Sequence, residues 1–458
     1  MQFKAIPKRK FLLLGGDILI ILFSTFFAFL LRTGEVFNFL AVYTGATLIC
    51  LLVFPLLFYV ADLYNSEQKF RSIKGVAKIV TAIIAGAIFI PFLFYALPPY
   101  RYGRGIFIIS IFILAPSIFF WRVIFKRYLK AVIKPKHVLL MGKDWVIETL
   151  YKALQRNPEY LVVGFINGET KVAGNPFPGT LEIFEMEDVE TRIREKAVDG
   201  IVIDFMEERS QRLWQELLKF KISGINIIGA LALYQELTGK IPIYHVNDQW
   251  FVYTPGYLLL RSSFVQKVKR LSDLGLSLLS LPIALPLMGL IALAIKLDSK
   301  GPVLYRQRRV GLEEEEFDLI KFRTMTHNAE KTTGVVWAEE NDSRITRVGK
   351  VLRITRLDEL PQLFNVLRDE MSFIGPRPER PEFVKKLEEK IPYYSLRHSV
   401  NPGITGWAQV NYPYGASVED AIEKLQYDLF YVQNMSFLLE LRIFLKTIQV
   451  VLFGNGSR

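Results

Sequence analysis

Long apolar runs dominate the first part of the chain. Four of them follow one another, at residues 11–31, 39–60, 79–97 and 105–125. Each is close to the roughly 20 residues that a helix needs to cross the hydrocarbon core of a bilayer. The pattern predicts a bundle of four transmembrane helices over residues 1–135.

Lysine and arginine residues flank these runs unevenly. They precede the first run, lie between the second and third, and follow the fourth, whereas the other two loops carry few charges. The positive-inside rule therefore predicts that both ends of the block face the cytoplasm. The residues are Lys8, Arg9 and Lys10, then Lys69, Arg71, Lys74 and Lys78, then Arg122, Lys126, Arg127, Lys130, Lys134 and Lys136.

One acidic residue, Asp17, lies inside the first run. It is either a functional group that faces the bundle interior or a polar residue near the membrane interface. We favour the interface, because Asp17 lies within two helical turns of the basic end of the run.

Residues 136–250 change to an alternation of short apolar strands and helices. Strands are predicted at 137–141, 161–167 and 200–205, with an amphipathic helix at 211–222. The order is typical of a βαβ, Rossmann-like α/β domain. Only Gly142 stands in the turn after the first strand, where a dinucleotide site needs several glycines. A structural or regulatory role is therefore favoured over NAD binding.

A fifth apolar run covers residues 274–295, with basic residues at both ends. A single crossing would place the C-terminal third outside the cell, against the positive-inside rule. Pro282 and Pro286 lie near the middle of the run, where each removes a helical hydrogen bond and bends the helix. We predict a re-entrant helix over about residues 271–296, broken at Pro282, with an ordinary fifth span as the alternative.

The rest of residues 251–458 is polar, basic and rich in turns, which predicts an α+β domain around the re-entrant helix. Its last apolar stretch, residues 437–453, interleaves with Glu440, Arg442 and Lys446. Such a pattern suits a helix that lies in the membrane interface.

Composition narrows the functional classes. The net charge of +12 could indicate nucleic acid as a partner. Much of that charge lies beside apolar runs, where it anchors and orients membrane helices, so no nucleic acid is expected. Cys50 is the only cysteine, which excludes an intrachain disulfide and a cysteine-based zinc cluster.

An acidic pair, Asp358 and Glu359, carries the candidate chemistry. Pro361 predicts a helix that starts nearby and runs to about Arg368, since proline is tolerated in the first helical turn. A helix N-terminus favours negative charge, both carboxylates and phosphates. Taken alone, such a pair is usually a helix cap.

Many cations surround the pair in sequence. Fixed positive charges can bind phosphate oxygens, and a carboxylate beside them stays ionised at neutral pH. A site of oxygen ligands with phosphates nearby suits Mg²⁺. A solvated basic face, or a surface that binds anionic lipids, is the alternative for any single arginine. The cations are Arg344, Arg347, Lys350, Arg353, Arg356, Arg377 and those of Lys321-Phe-Arg-Thr-Met325.

The chain from Lys269 to about Phe453 resembles the bacterial sugar transferases, the monotopic phosphoglycosyl transferases. The whole chain resembles the long form of that family, which includes undecaprenyl-phosphate glucose and galactose phosphotransferases. The segments that carry the resemblance are Lys269–Asp273, Gly301–Gln307, Arg309–Gly311, Lys321–Met325, Arg344–Gly349, Leu357–Leu363, Gly375–Pro378, Pro402–Val410 and Asp428–Tyr431.

The resemblance implies an enzyme of the bacterial inner membrane with its C-terminal domain in the cytoplasm. It is expected to transfer a sugar-1-phosphate from a UDP-sugar to polyprenyl phosphate, and so to start exopolysaccharide, capsule or O-antigen assembly. Asp358 is expected to attack the β-phosphorus, forming a phosphosugar-aspartate and releasing UMP. Glu359 is expected to bind Mg²⁺. The phosphate-binding or supporting positions implied are Lys321, Arg323, Arg353, Arg377 and Asp428. Membrane lipids are further partners, and a homodimer is a possible assembly.

One turn departs from the family pattern, and two histidines have no role that the resemblance implies. Glu313–Glu316 makes one turn unusually acidic, and we interpret it as an exposed hairpin tip. His327 and His398 stand in no metal-ligand spacing, so both are predicted to be structural or surface residues.

Two other functions compete with this one. A membrane-bound nucleotide-sugar dehydratase would need an intact glycine-rich turn and a tyrosine followed four residues later by lysine, and no tyrosine of this chain has that spacing. A non-enzymatic scaffold of polysaccharide synthesis is disfavoured, because the carboxylate pair and its cations are all present.

Overall fold

The structure is a computed structural model in which the chain divides into two compact units, Met1–Lys134 and Pro135–Arg458. The residues it describes are 8–34, 39–64, 70, 72–96, 103–132, 135–142, 145–157, 159–166, 182–184, 189–204, 211–257, 262–326, 344–413, 415 and 417–453.

The first unit is a bundle of apolar helices at the four predicted runs. By length and composition, α1, α3 and α4 can each cross a membrane, whereas the described apolar part of α2, Thr44–Val60, is shorter. The helices are α1 (Lys8–Thr33), α2 (Phe39–Val60), α3 (Ile73–Ala96) and α4 (Arg104–Val132).

Small residues allow the helices of this bundle to approach closely. Helix α1 packs against α2 and α4, and α3 packs against the same two helices. A Cβ atom on Gly16 would lie 2.1 Å from the ring of Trp121, and one on Gly86 would lie 2.4 Å from the ring of Phe54. Packing of this kind holds helices together in lipid, where no hydrophobic effect drives their association.

An ion pair is buried in the bundle. Arg122 Nη2 donates a hydrogen bond of 2.7 Å to Asp17 Oδ2, and both side chains are fully buried. The Arg122 guanidinium also lies 5.2 Å from the ring centre of Tyr64. The predicted interface position of Asp17 is therefore wrong, because this carboxylate faces the interior. Arg122 is likewise not one of the surface charges that set the topology.

The second unit begins with a five-stranded parallel sheet in the order β3-β2-β1-β4-β5. This is the order of a doubly wound α/β sheet. The elements are β1 (Lys136–Met141), α5 (Trp145–Gln155), β2 (Tyr160–Ile166), β3 (Glu182–Phe184), α6 (Val189–Glu195), β4 (Gly200–Ile203), α7 (Gln211–Ile222), β5 (Asn226–Gly229) and α8 (Ala230–Thr238).

Side chains of β1 alternate between the two faces of this sheet. Val138 and Leu140 belong to one apolar core, and Leu139 and Met141 to the other. Gly142, directly after the strand, has a φ of +143°, which suits glycine in a tight turn.

The remaining elements form the C-terminal part of the unit, and its β6–β7 pair is antiparallel whereas β8–β9 is parallel. They are α9 (Asp248–Tyr253), α10 (Ser263–Asp298), β6 (Leu304–Val310), β7 (Glu316–Phe322), α11 (Arg347–Thr355), α12 (Gln362–Leu367), β8 (Ser372–Ile374), α13 (Pro381–Glu388), β9 (Gly403–Thr405), α14 (Trp407–Asn411), α15 (Val418–Asn434) and α16 (Phe437–Phe453).

The α/β sheet and the C-terminal part share one core. The cluster that contains Val138 and Leu140 continues into α13 and α15 through residues such as Leu387 and Leu429. Trp407 Nε1 also donates a hydrogen bond of 2.9 Å to the Gly239 carbonyl. The boundary predicted at residue 250 lies inside α9, within a unit that packs as one body.

Helix α10 contains the fifth apolar run. It has 36 residues and continues through Pro282 and Pro286. The predicted break of the helix at Pro282 is therefore wrong, because a proline inside a helix can bend it without ending it. At 1.5 Å per residue α10 is about 54 Å long, far more than a bilayer's hydrocarbon core of about 30 Å. One face, with Met288 and Ile291, is buried. The opposite face exposes leucine and isoleucine side chains, among them Ile283.

Both ends of α10 are hydrogen-bonded to the same C-terminal part. Near its start, Arg270 donates to the carbonyls of Val366 and Leu367, at 2.5 and 2.8 Å. At its end, Asp298 Oδ2 accepts a bond of 3.1 Å from the backbone N–H of Val348. The two ends of this apolar helix therefore contact one polar domain.

We expect Arg122→Ala to destabilise the bundle strongly, because it leaves the Asp17 carboxylate buried without its partner. Removal of one member of a buried pair typically costs about 3–5 kcal/mol. Arg127→Ala, on an exposed residue of the same helix, is the matched control and should change stability little. Thermal unfolding of both variants in detergent measures the difference. Equal midpoints would show that the buried pair contributes nothing.

Candidate functional site

A hairpin carries the first candidate cation. Strands β6 and β7 pair so that Lys321 lies opposite Tyr305, and the Lys321 ammonium lies 5.4 Å from the centre of that ring. Burial and then the charge of Arg309 lower the pKa of Lys321, against the charge of Asp358, and the resulting pKa is about 8. An ammonium group with this pKa is mostly protonated at pH 7 but loses its proton in mildly alkaline solution.

A left-handed residue precedes the acidic pair. Arg356 has a φ of 57° and ends α11, and its backbone N–H bonds to the carbonyls of Leu352 and Arg353. Asp358 and Glu359 follow in a 3₁₀ turn, and α12 begins after Pro361. The predicted helix after the pair is confirmed. The left-handed Arg356 separates this helix from α11. Such a conformation costs a residue other than glycine about 1–2 kcal/mol of strain.

Glu359 is held by Arg377. Arg377 Nη2 donates a hydrogen bond of 2.9 Å to Glu359 Oε1. Burial acts to raise the pKa of Glu359, but the charges of Arg377 and Arg356 outweigh it, so the pKa lies below its usual value. Glu359 is therefore ionised throughout the neutral range.

Asp358, the neighbouring residue, behaves in the opposite way. Burial and the charge of Glu359 raise its pKa to about 6, although Lys321, Arg377 and Arg353 act to lower it. The carboxyl is still mostly ionised at pH 7, as the sequence predicted. Its raised pKa makes it a stronger base and nucleophile than an exposed aspartate.

The loop that carries Arg377 is fixed by contacts between backbones. A Cβ on Gly375 would lie 2.2 Å from the Asn401 carbonyl oxygen, and one on Gly406 would lie 2.1 Å from the Gly375 carbonyl. Gly375 N–H also donates to the Thr405 carbonyl at 2.9 Å. Only glycine permits this approach, which explains the glycines in the segments 375–378 and 402–410.

Asp428 is connected to the acidic pair through Arg397 and Arg377. Its Oδ2 accepts a bond of 2.8 Å from Arg397 Nη2, and both side chains are buried. The same nitrogen donates to the Arg377 carbonyl at 2.8 Å, and Arg397 Nη1 donates to the Tyr394 hydroxyl at 2.7 Å. Burial raises the pKa of Asp428 to about 6, against the charge of Arg397. Asp428 thus orients Arg397, which holds the backbone of Arg377.

Arg323 and Arg353 use hydrogen bonds to join elements. Arg323 donates to the carbonyls of Ser299 and Lys300, at 2.8 and 2.9 Å, and so caps the C-terminal end of α10. Arg353 Nε donates to Thr324 Oγ1 at 3.0 Å, and its charge reaches Asp358. Lys321, Arg353 and Arg377 therefore lie close enough to the acidic pair for their charges to act on Asp358. The hydrogen bonds of Arg323 are made instead at the C-terminal end of α10.

Asn365 is a positioning residue that the sequence analysis missed. Its side chain is fully buried on α12, where Nδ2 donates to the Asp318 carbonyl at 2.8 Å and Oδ1 accepts from the Ile320 N–H at 3.1 Å. These bonds join α12 to β7, and so fix the acidic pair relative to Lys321. No local pattern marks Asn365 as a link to β7, because the β7 groups that it bonds lie more than 40 positions away in the chain.

A pocket beside the pair contains further cations. Arg356 and Arg377 line it, and both charges act on Glu359. Lys424 also lines the pocket, and the sequence analysis missed it. It lies on α15 four residues before Asp428, so both side chains are on the same face of the helix, and this spacing could have identified it. Gln409 and Tyr412 add amide and hydroxyl groups. The pocket thus combines positive charge with neutral donors, a suitable lining for a phosphorylated polar ligand.

The acidic pair also suits a divalent cation. Asp358 and Glu359 supply carboxylate oxygens side by side, and Arg377 bonds one oxygen of Glu359. Oxygen donors of this kind, few in number and beside a pocket lined by cations, fit Mg²⁺.

Comparison with known proteins agrees with this geometry. The sequence model of the bacterial sugar transferase family matches residues 264–454. The UDP-N-acetylgalactosamine-undecaprenyl-phosphate N-acetylgalactosaminephosphotransferase of Aeromonas hydrophila is 34% identical over 352 residues, which are 75% of this chain and 78% of that protein.

Two other relatives share less of their length or of this chain. The UDP-glucose:undecaprenyl-phosphate glucose-1-phosphate transferase of Xanthomonas campestris pv. campestris is 38% identical over 247 residues, 53% of this chain and 49% of that protein. The exopolysaccharide production protein PSS of Rhizobium leguminosarum bv. phaseoli is 40% identical over 186 residues, 40% of this chain and 93% of that protein. Because the match to the Aeromonas hydrophila protein covers more than two thirds of that protein, and the family model matches residues 264–454, the chain belongs to the bacterial sugar transferase family, in its long form.

Proposed function

We propose that this protein transfers a sugar-1-phosphate from a UDP-sugar to polyprenyl phosphate and releases UMP. The observation that carries the proposal is a half-buried aspartate, Asp358, whose pKa of about 6 leaves it ionised at pH 7 among Lys321, Arg353 and Arg377. The names of the relatives describe the same class of transfer, with N-acetylgalactosamine or glucose donors. Both sugars are therefore donors to test.

In the first half of the reaction, Asp358 attacks the β-phosphorus of the UDP-sugar. A bond forms between the carboxylate oxygen and phosphorus, and the bond to the bridging oxygen breaks, so that UMP leaves. Arg377 and Lys321 are placed to stabilise the charge that accumulates on the phosphoryl oxygens. Arg356 and Lys424 in the pocket are suited to the phosphate of the departing UMP.

In the second half, a phosphate oxygen of polyprenyl phosphate attacks the phosphosugar-aspartate. The new diphosphate bond forms as the Asp358 carboxylate leaves, which regenerates the enzyme. A covalent intermediate divides one difficult displacement into two easier ones.

Magnesium fits as a cofactor through Glu359. When bound, the ion would neutralise charge on the diphosphate of the donor. Glu359 is ready to hold it, because the charges of Arg377 and Arg356 keep the pKa of this carboxyl low.

Helix α10 supports a monotopic, re-entrant placement on the cytoplasmic face of the membrane. Both of its ends bond to the same polar domain, and its buried face packs with Leu352 and Leu363 beside the acidic pair. Its exposed apolar face is then free to enter lipid. A site at this surface avoids drawing the polyprenyl chain into water, at about 0.8 kcal/mol per exposed CH₂. Helix α16 also has exposed apolar side chains, among them Phe437 and Leu438.

The α/β sheet is best assigned a structural role as a Rossmann-like domain. In the glycine-rich fingerprint, the position five residues after Gly142 would be a third glycine, but Ile147 stands there and is buried in the core. The homodimer expected for the long form stays a prediction.

We expect Asp358→Asn to reduce UMP release by at least about 1,000-fold, because an amide cannot replace the nucleophile. The assay incubates the purified protein with a UDP-sugar, polyprenyl phosphate and Mg²⁺. Asp318→Asn, on an exposed strand residue, is the control and should retain activity. A trapped sugar-phosphate adduct on the wild type, absent from the asparagine variant, would identify the bond. Unchanged release by Asp358→Asn would remove this residue from its role.

The rate of UMP release should show a bell-shaped dependence on pH. Below pH 6 the rate falls as Asp358 gains a proton, since its pKa is about 6, and above pH 8 it falls as Lys321 loses one, since its pKa is about 8. Lys321→Arg keeps the charge at alkaline pH. This variant should therefore lose the alkaline limb but keep the acidic one, and an alkaline limb unchanged by the substitution would exclude Lys321 as its cause.

Cysteine labelling tests the placement of α10. The only native cysteine, Cys50, is buried, so Cys50→Ala gives a background for single cysteines at the exposed positions Lys267 and Lys300. A re-entrant helix predicts that Lys267→Cys and Lys300→Cys are both labelled only from the cytoplasmic side. Arg104→Cys, at the first residue of α4, should be labelled only from the opposite side. Labelling of the two α10 positions from opposite sides would establish an ordinary span.

A further inference from the structure

Three side chains outside the catalytic pocket converge on one point. Each of Glu314, Glu388 and His398 offers a ligand atom, and these atoms all lie within 4.8 Å of one another. Glu314 comes from the tip of the β6–β7 hairpin, Glu388 ends α13, and His398 belongs to the 3₁₀ helix Tyr394–Ser399. The cluster therefore joins the hairpin tip to two neighbouring segments that come much later in the chain.

His398 is the informative member of this cluster. It is only 6% exposed, yet neither Nδ1 nor Nε2 has a hydrogen-bond partner among the described residues. A buried polar group without a partner costs about 1–3 kcal/mol, and a bound ion can satisfy such a group. Burial and then the charge of Arg397 lower the pKa of His398 to about 3. The ring is therefore neutral, the form that binds metals.

The hairpin tip is held in an unusual conformation. Glu313 and Glu314 have φ values of 51° and 67°, in the left-handed region where glycine is expected. Two such residues in succession are strained, by about 1–2 kcal/mol each. The acidic turn is exposed, as the sequence predicted, but it also brings the Glu314 carboxylate to the buried imidazole.

We propose that Glu314, Glu388 and His398 form a structural site for a divalent transition-metal ion of the Zn²⁺ class. One neutral imidazole nitrogen and two carboxylate oxygens are a common donor set for this ion, with water as a fourth ligand. Tetrahedral ligands at about 2.0–2.1 Å from zinc lie about 3.3 Å apart. The exposed glutamates can close that remaining distance by rotating their side chains. Mg²⁺ fits less well, because it favours octahedral oxygen sites.

The positive charge next to His398 in sequence has a carboxylate partner of its own. Arg397 adjoins His398 in sequence, but its guanidinium bonds the buried Asp428 carboxylate. The two exposed glutamates supply two negative charges and give the ion a route from solvent. Because Arg397 also bonds the Arg377 carbonyl, a metal at His398 would stabilise the segment that holds the Arg377 loop.

The test measures zinc directly, on the full-length protein in detergent. The protein is stripped with a chelator, returned to saturating Mg²⁺, incubated with ZnCl₂ and separated from free metal, and bound zinc is then counted by mass spectrometry. The wild type should retain one zinc ion per chain, and its unfolding temperature should rise with zinc. X-ray absorption should show one imidazole nitrogen and two carboxylate oxygens.

Two charge-matched double variants separate the site from general acidity. Glu314→Gln with Glu388→Gln should weaken zinc binding by at least about 100-fold. Glu313→Gln with Glu389→Gln removes the same charge from neighbouring exposed positions and should bind zinc like the wild type. All four positions are on the surface, so the fold is not at risk.

Asp358→Asn with Glu359→Gln removes the catalytic carboxylates and should leave zinc binding unchanged. Three outcomes would overturn the proposal. These are no retained zinc in the wild type, equal retention in the two charge-matched variants, or loss of zinc in the variant without the catalytic carboxylates. None of these readouts depends on transferase activity, so a failure here is distinguishable from a failure of the proposed function.

Discussion

The buried ion pair between Arg397 and Asp428 is the interaction on which the site depends. One guanidinium satisfies a carboxylate, a tyrosine hydroxyl and the Arg377 carbonyl. Because these direct bonds are buried, they hold their partners more rigidly than exposed bonds would. The loop that carries Arg377 is thereby set in position, and through Arg377 so is the carboxylate of Glu359. A single buried cation thus connects the α15 helix to the acidic pair.

Neighbouring carboxylates in the pair have opposite properties because their partners differ. Glu359 has a direct hydrogen bond to Arg377, and this keeps its pKa low despite burial. For Asp358, burial and its acidic neighbour outweigh the charges of Lys321, Arg377 and Arg353, so its pKa rises. One environment therefore produces a permanently charged carboxylate, suited to a cation, beside a more basic one, suited to attack on phosphorus.

Local patterns predicted much of this structure. The helix at Gln211–Ile222 has the bounds expected from its periodicity, and the acidic pair with Lys321, Arg353 and Arg377 was found from motifs. What failed, or was missed, involves partners distant in the chain. Asp17 meets Arg122 across 105 positions, and charge counting cannot reveal which residues pair. The hydrogen bonds of Arg323 to the end of α10 could not be read from its motif either, and its predicted phosphate-binding or supporting role stays a prediction. Such roles follow from tertiary packing alone.

The core that α5 and α8 share with α13 and α15 restricts how this protein can be dissected. A shortened version that begins at α10 would expose Leu387 and Leu429, now covered by the sheet domain, to solvent. Such a fragment would expose this apolar surface in addition to the exposed apolar side of α10. Large exposed apolar patches favour aggregation over a soluble fold. Chimeras between relatives therefore need to exchange the sheet domain together with the outer faces of α13 and α15.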